Sequence, residues 1–180
     1  YCVGPGDVHL TQLQLASFGQ MILDHGRWRG RQVVPSMWIA DTLMDYSSTW
    51  YGDSIWPYRD IRYGYLWWHA EVAGHDLYFA RGHGGQFVSI VPALELVVVT
   101  TAYNFVGDFT DNSWNTEGAI MRLIATDVVP AANLRLGSRP KHKPESHHES
   151  ELTSASTTFN MLRRAGTLYV PLLRLNVPLW

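Results

Sequence analysis

The short links between apolar segments in residues 63–101 limit most strongly how this chain can fold. The segments are an aromatic-rich run, a short apolar run, a partly alternating run and a β-branched run: Tyr63–Glu71, Leu77–Ala80, Gln86–Val91 and Leu96–Thr101. Each link contains only about four or five residues, whereas a parallel crossover needs about a dozen or more. The spacing therefore predicts an antiparallel meander, and the β-branched run is typical of a strand buried on both faces.

Three helices are predicted around these strands. Thr11 and Gln14 match a capping box that opens a helix over residues 11–24. Apolar residues at helical spacing follow the cap: Leu15, Phe18 and Ile22. Pro35 suits the first turn of a second short helix to about Leu43, with Trp38 and Ile39 facing inward. The third helix is expected over residues 115–127, closed by Pro130. Residues 46–62 have no clear period and predict a surface loop. The fold class is α+β.

Charge divides the chain at Pro130. Residues 1–130 carry 7 Lys+Arg and 13 Asp+Glu, while residues 131–180 carry 7 and 3. We predict a domain over 1–130 and a low-complexity, disordered tail over 131–180, because Gly137–Thr158 offers almost nothing to bury. Limited proteolysis should cut this tail first.

Composition also excludes classes of partner. The acidic domain gives no electrostatic footprint for nucleic acid. No apolar run approaches the roughly 20 residues of a membrane span. Cys2 is the only cysteine, so the chain can form neither an internal disulfide nor a cysteine-based zinc site.

The segment Arg81-Gly82-His83-Gly84-Gly85-Gln86 carries the most chemical information. Its three glycines surround one histidine between two predicted strands, where glycine lets the backbone approach a ligand closely. A backbone N–H at a strand edge after paired glycines can form half of an oxyanion hole. The alternative is a tight β-turn that merely exposes a histidine.

The wider sequence resembles a known family. The stretches that carry the resemblance are Leu10-Thr11, Leu15–Gln20, Gly26–Val34, Trp38, Tyr63–Trp68, Ala80–Gln86 and Val91–Val99. In order and spacing they are similar to the C-terminal half of the serine β-lactamase-related hydrolases. This group holds class C β-lactamases, D-Ala-D-Ala carboxypeptidases (penicillin-binding proteins), esterases and 6-aminohexanoate-dimer hydrolases. The resemblance covers about residues 8–127.

The resemblance implies a β-lactamase/transpeptidase-like fold whose N-terminal half is missing. It implies hydrolysis of a small-molecule ester, amide or lactam through a serine acyl-enzyme, with no metal or organic cofactor. His83-Gly84-Gly85 aligns with the family's Lys-Thr-Gly-like triplet on the sheet edge. His83 would then act in catalysis and bind substrate with Gly84 and Gly85, and the backbone N–H of Gln86 would be one of two oxyanion donors.

Two family motifs are absent from the expected places. The only literal Ser-x-x-Lys is Ser138-Arg139-Pro140-Lys141, which lies in the tail and contains a helix-breaking proline, so we treat it as coincidence. Tyr46-Ser47-Ser48 is the only upstream Tyr-x-Ser, and it lies in the predicted loop. No lysine occurs before Lys141. We therefore expect a fragment without nucleophile or base, inactive by itself; the alternative is a non-catalytic binding or interaction domain.

Two other groups of residues have spacings or compositions that could form a site. His69, His75 and His83 lack a recognised ligand spacing, so scattered histidines are favoured over a metal site. The aromatic residues that could stack on a sugar are Trp50, Tyr51, Trp56, Tyr58, Tyr63, Tyr65, Trp67 and Trp68. Filling a core or lining an apolar pocket is the favoured interpretation. The chain opens at Tyr1 without a signal segment. Localisation stays open, although the family is often periplasmic or secreted.

Overall fold

A six-stranded antiparallel sheet lies at the centre of the protein. The structure is a computed structural model that describes residues 8–48, 57–102, 105–106, 110–111 and 113–137. The helices are α1 (Gln12–Leu23), α2 (Ser36–Thr42), α3 (Ser113–Leu123) and α4 (Val129–Gly137). A 3-10 turn covers Pro92–Leu94, and a π-helical segment, Ile124–Val128, joins α3 to α4.

The described residues form ten strands, six of which make up the central sheet. They are β1 (Arg27–Trp28), β2 (Arg31–Gln32), β3 (Ser47–Ser48), β4 (Arg59–Tyr63), β5 (Trp68–Val72), β6 (His75–Gly82), β7 (Gln86–Val91), β8 (Leu96–Thr100), β9 (Phe105–Val106) and β10 (Thr110–Asp111). Strands β3 to β8 each pair antiparallel with the next, while β1–β2 and β9–β10 form separate two-stranded sheets. The predicted antiparallel meander and the α+β class are confirmed.

Two sequence interpretations between residues 46 and 71 are wrong. The predicted strand Tyr63–Glu71 is two strands, because the chain turns between β4 and β5, where Leu66 adopts a left-handed φ of 64°. The predicted loop over residues 46–62 contains β3 and most of β4. The strand boundaries were hard to recognise in the sequence because aromatic residues occur in both the turns and the strands of this region.

Helices cover both faces of the sheet. Alternate residues of β7 point to opposite faces: Phe87 and Val91 join the core beneath α3 and α4, whereas Val88 and Ile90 join the core beneath α1 and α2. Because both faces are covered, Leu96, Val97 and Val98 of β8 are at most 2% exposed. The predicted burial of this strand on both faces is confirmed there.

The first helix has the cap that the sequence predicts. The Thr11 hydroxyl accepts from the Gln14 N–H at 3.3 Å, and the Gln14 side chain accepts from the Thr11 N–H at 2.8 Å. Gly19 lets α1 approach the sheet, since a Cβ there would lie 2.6 Å from Cγ1 of Val97. Phe18 remains 41% exposed and stacks on Trp67.

The second helix buries only one of its two predicted core residues. Ile39 is 3% exposed, but Trp38 is 56% exposed and packs against the Tyr65 ring instead. Adjacent residues on a helix point about 100° apart, so a narrow buried stripe on this seven-residue helix covers one of them and leaves the other outside.

The helical stretch after residue 113 does not end at Pro130. It continues through α4 to Gly137, and Val129 and Ala132 belong to the core, with 0% and 7% exposure. Pro130 is tolerated because it lies in the first turn of α4, directly after the π-helical segment, where a proline ring and its missing N–H disturb the helix least. The prediction that Pro130 closes the third helix is therefore wrong.

The aromatic residues mostly fill the core, as the favoured interpretation has it. Tyr58 and Trp67 are 1% and 5% exposed, and the half-buried Trp68 packs on the same core as Tyr58. Tyr65 differs, since it is 47% exposed. Trp50, Tyr51, Trp56 and residues 138–180 lie outside the described residues, so the predicted proteolysis of the tail stays a prediction. Within the described ranges, no helix is long and apolar enough to cross a membrane.

Candidate functional site

The segment singled out in the sequence forms a hairpin turn between β6 and β7. Gly82 pairs with Gln86, so that His83, Gly84 and Gly85 make the three-residue connection. Gly84 and Gly85 have φ angles of 91° and 94°, which L side chains rarely adopt. Both glycines are buried, whereas His83 and Gln86 are exposed. The turn therefore presents one functional side chain, that of His83.

Gly85 packs closely against α3 and the end of β8. A Cβ on this residue would lie 2.6 Å from Cδ1 of Ile120 and 3.3 Å from the side chains of Ala102 and Thr116. The Gly85 carbonyl accepts a hydrogen bond from the Thr100 hydroxyl at 2.9 Å. The backbone is thus held between the end of β8 and helix α3.

The buried side chain of Glu117, on α3, contacts the turn, and this residue was not among the predicted site residues. Its side chain is 2% exposed. One carboxylate oxygen, Oε2, accepts a hydrogen bond from Nε of Arg81 at 2.7 Å and forms an ion pair with Nη2 of the same residue at 2.5 Å. The other oxygen, Oε1, accepts from the Gly84 N–H at 2.6 Å and lies 3.1 Å from Nδ1 of His83. One carboxylate therefore contacts β6, the turn backbone and the candidate catalytic side chain.

The charge balance explains why a carboxylate can be buried here. An ionised carboxylate removed from water is strongly unfavourable unless it is paired and hydrogen-bonded. The two-point contact with Arg81, whose side chain is 12% exposed, neutralises the charge, and the Gly84 N–H uses the second oxygen. Losing Glu117 would leave a largely buried guanidinium and a buried amide without this partner.

A sequence signal for Glu117 existed. Ile120, Met121 and Ile124 lie three, four and seven residues after it, so all four occupy one face of the helix, and all four are buried. An acidic residue on an apolar helical stripe is rarely buried without a partner. That pattern points to an ion pair, although it does not identify Arg81 as the partner.

Gln86 is the first residue of β7. The pairing of β7 with β8 starts at the next residue, where Phe87 faces Thr100. The assignment of its backbone N–H as an oxyanion donor stays a prediction. The turn brings His83, Gly84, Gly85 and Gln86 together by their adjacency in the chain, and Glu117 joins them through the fold.

Tyr46 is unsuited to the role of second base. It precedes β3, which is three strands from β6 in the sheet, or about 14 Å at about 4.8 Å per strand. Its ring stacks on Tyr65 at a centroid distance of 4.5 Å. A hydrogen bond with Tyr65, together with burial and nearby charge, raises the pKa of Tyr46. A proton acceptor would need a lowered phenol pKa instead. Ser138 and Lys141 lie outside the described residues.

His69 lies in a separate polar cluster. Its Nδ1 is 3.0 Å from both carboxylate oxygens of Asp45, and its Nε2 is 3.1 Å from Oδ1 of Asp76. The ring stacks on Tyr78. His75 begins β6, away from the turn. In the part of the chain that the structure describes, no three His, Cys, Asp or Glu residues are grouped so as to hold a metal ion.

A cavity among the described residues lies away from the turn. With a volume of about 290 Å³, it lies between the C-terminal end of α1 and the Pro92–Leu94 turn, lined in part by Asp24, His25 and Glu95. It is at the opposite end of β7 from Gln86, about 20 Å away at about 3.4 Å per residue. We take the turn as the candidate site because an exposed histidine, two glycines with positive φ and a buried ion pair meet there.

No protein-family model matches this chain, and no curated protein matches it.

Proposed function

We propose that this chain is the C-terminal part of a serine hydrolase of the β-lactamase-related group, acting on an ester, amide or lactam through an acyl-enzyme. The observation that carries the proposal is the anchored turn. Two buried glycines with positive φ shape the backbone of the turn beside an exposed histidine, and a buried carboxylate fixes the arrangement. Preorganised backbone of this kind can stabilise a developing oxyanion without reorganising during the reaction.

The antiparallel sheet with helices on both faces is compatible with this proposal, as is the position of the turn at the end of two interior strands. The nucleophile would come from a Ser-x-x-Lys helix preceding this sequence in the parent protein. A serine needs an adjacent base to become a useful nucleophile, and residues 1–140 contain no lysine.

Labelling with a fluorophosphonate, a reagent for activated serines, tests the proposal. The chain extended through its upstream reading frame should be labelled at a serine of a Ser-x-x-Lys motif, whereas the 180-residue chain should be neither labelled nor active. Failure of the extended, folded protein to react would refute the assignment. Turnover by the 180-residue chain that Ser138→Ala abolishes would also refute it, and would restore the tail motif as the nucleophile.

In the extended protein, His83→Ala should lower kcat/KM by about tenfold to a thousandfold, the range for losing one polar contact that strengthens in the transition state. His75→Ala is the matched control, because it removes a histidine from the other end of the same strand. Unchanged kinetics for His83→Ala would mean that the side chain takes no part in substrate binding or turnover.

A non-catalytic binding domain is the second candidate, favoured by an exposed aromatic surface. The Tyr65 ring stacks on Tyr46 and also packs against Trp38 in a tilted arrangement. Trp38, Tyr46 and Tyr65 are 56%, 51% and 47% exposed. Exposed aromatic clusters of this kind are typical of interaction surfaces. An extended protein that folds, resists fluorophosphonate and yet binds a partner through this surface would favour this candidate.

A further inference from the structure

The contact between Glu117 and His83 bears on which nitrogen of the histidine carries the hydrogen of the neutral ring. Oε1 of Glu117 lies 3.1 Å from Nδ1 of His83, within reach of a hydrogen bond, and the same oxygen accepts from the Gly84 N–H at 2.6 Å. The His83 side chain is 57% exposed, whereas that of Glu117 is 2% exposed, so the contact joins a surface ring to a buried carboxylate.

The donors around Glu117 require the ionised form of its carboxyl group. Oε2 receives Nε and Nη2 of Arg81, and Oε1 receives the Gly84 N–H. The guanidinium charge of Arg81 at Oε2 and the Gly84 N–H at Oε1 both stabilise the carboxylate form, whose oxygens can only accept. Glu117 is therefore an acceptor on both oxygens, and the hydrogen between Oε1 and Nδ1 must belong to the histidine.

We infer that Glu117 is a positioning residue that holds the hydrogen of His83 on Nδ1, so that the lone pair of the neutral ring lies on Nε2. In the neutral ring Nε2 then accepts a hydrogen bond or a proton, and only the protonated ring can donate from it. Its use in turnover rests on the proposed hydrolase function; the protonation pattern itself does not.

The position of the hydrogen on His83 also limits which kind of substrate group the ring can contact. Neutral His83 with an acceptor at Nε2 suits a hydroxyl or an amide N–H and repels a carboxylate oxygen. The charges of Arg81 and Glu117 cancel each other, so this ion pair leaves no net positive charge to attract an anion. A substrate that is neutral beside the reacting bond and carries a donor there is the class that fits.

The inference is tested on the 180-residue chain by long-range ¹H–¹⁵N correlation spectra of ¹⁵N-histidine-labelled protein, which separate the two neutral tautomers and the imidazolium. The His83 signals are assigned from their loss in His83→Asn. We expect the Nδ1–H tautomer above neutral pH, with exposed His25 as internal reference. A neutral His83 with its hydrogen on Nε2 overturns the inference, and this measurement needs no variant that risks misfolding.

Variants then test whether Glu117 is the cause. Glu117→Gln should shift the His83 population towards Nε2–H, whereas Asp127→Asn, an exposed acid in the following helical segment, should leave it at the wild-type ratio. A folded Glu117→Gln protein with the wild-type ratio would refute the role of Glu117. Because no activity is measured, failure of the hydrolase proposal leaves these outcomes intact, and fluorophosphonate labelling alone decides that proposal.

The class of contacted group is tested in the extended protein with two matched p-nitrophenyl esters, one of N-acetylglycine and one of succinate bearing a free carboxylate. At pH 8 the neutral amide ester should have at least about tenfold higher kcat/KM, with the difference reduced in His83→Ala. Equal values, or a preference for the carboxylate, would overturn this part of the inference even if the enzyme is active.

Discussion

Gly85 and Ile120 are packed so closely that a Cβ on the glycine would lie 2.6 Å from Cδ1 of the isoleucine. The contact joins the β6–β7 turn to α3 and brings Glu117, one helical turn before Ile120, under Gly84. The position of the candidate site thus depends on the absence of one methyl group.

Gly85→Ala should lower the free energy of unfolding by about 2–4 kcal/mol, because it combines an unfavourable positive φ with overpacking against Ile120. Gly74→Ala is the matched control: its φ is 80°, but no atom lies within 4 Å of the added methyl group, so about 1 kcal/mol is expected. Urea denaturation gives both values. Equal losses would show that the contact with Ile120 contributes nothing.

Ser89→Ala should stabilise the protein by about 1 kcal/mol. Ser89 is 0% exposed between Phe79 and Val98, and its hydroxyl has no hydrogen-bond partner among the described residues. Removing a buried polar group without a partner removes its desolvation cost. The control is Ser17→Ala on the exposed side of α1, expected within about 0.5 kcal/mol of wild type. A loss of stability in Ser89→Ala would indicate that the hydroxyl is bonded.

Stability should fall at alkaline pH because of Tyr58. Burial raises the pKa of its phenol well above the usual value of about 10. Above that pH the unfolded chain releases this proton while the folded protein keeps it, so stability falls by up to about 1.4 kcal/mol per pH unit. Urea titrations between pH 9 and 11 should give a shallower decline for Tyr58→Phe. Burial also raises the pKa of Tyr78, so part of the decline remains. Parallel curves for wild type and variant would contradict this account.

Asp45 and His69 should show measurable coupling in a double-mutant cycle. Their side chains are 24% and 16% exposed and lie 3.0 Å apart, joining the segment after α2 to β5. A partly buried pair is screened less than a surface pair, so we expect about 0.5–1 kcal/mol from the cycle of Asp45→Ala and His69→Ala. The Arg59–Glu71 pair, 65% and 46% exposed, is the control and should couple more weakly. Stronger coupling in the control would contradict the burial argument.

Local sequence signals predicted much of the fold because their partners are close in the chain. The capping box joins residues three apart, Thr11 and Gln14. The antiparallel order of β5 to β8 follows from links too short for any other connection. The turn at Gly84 and Gly85 is likewise encoded locally, since glycine adopts positive φ without the steric cost that a Cβ brings.

The tertiary structure alone decided which faces are covered and which charges meet. Trp38 and Ile39 are neighbours with similar hydrophobicity, and only the placement of α2 on the sheet buries one and exposes the other. Pro130 would end an isolated helix, but the π-helical segment and the core contacts of Val129 and Ala132 carry the helix past it. Glu117 meets Gly84 and Arg81 across 33 and 36 residues of chain. A helical pattern can mark that carboxylate as buried, but only the packing of α3 on the sheet selects its partners, because distance through space decides electrostatic and hydrogen-bond energies and sequence separation does not.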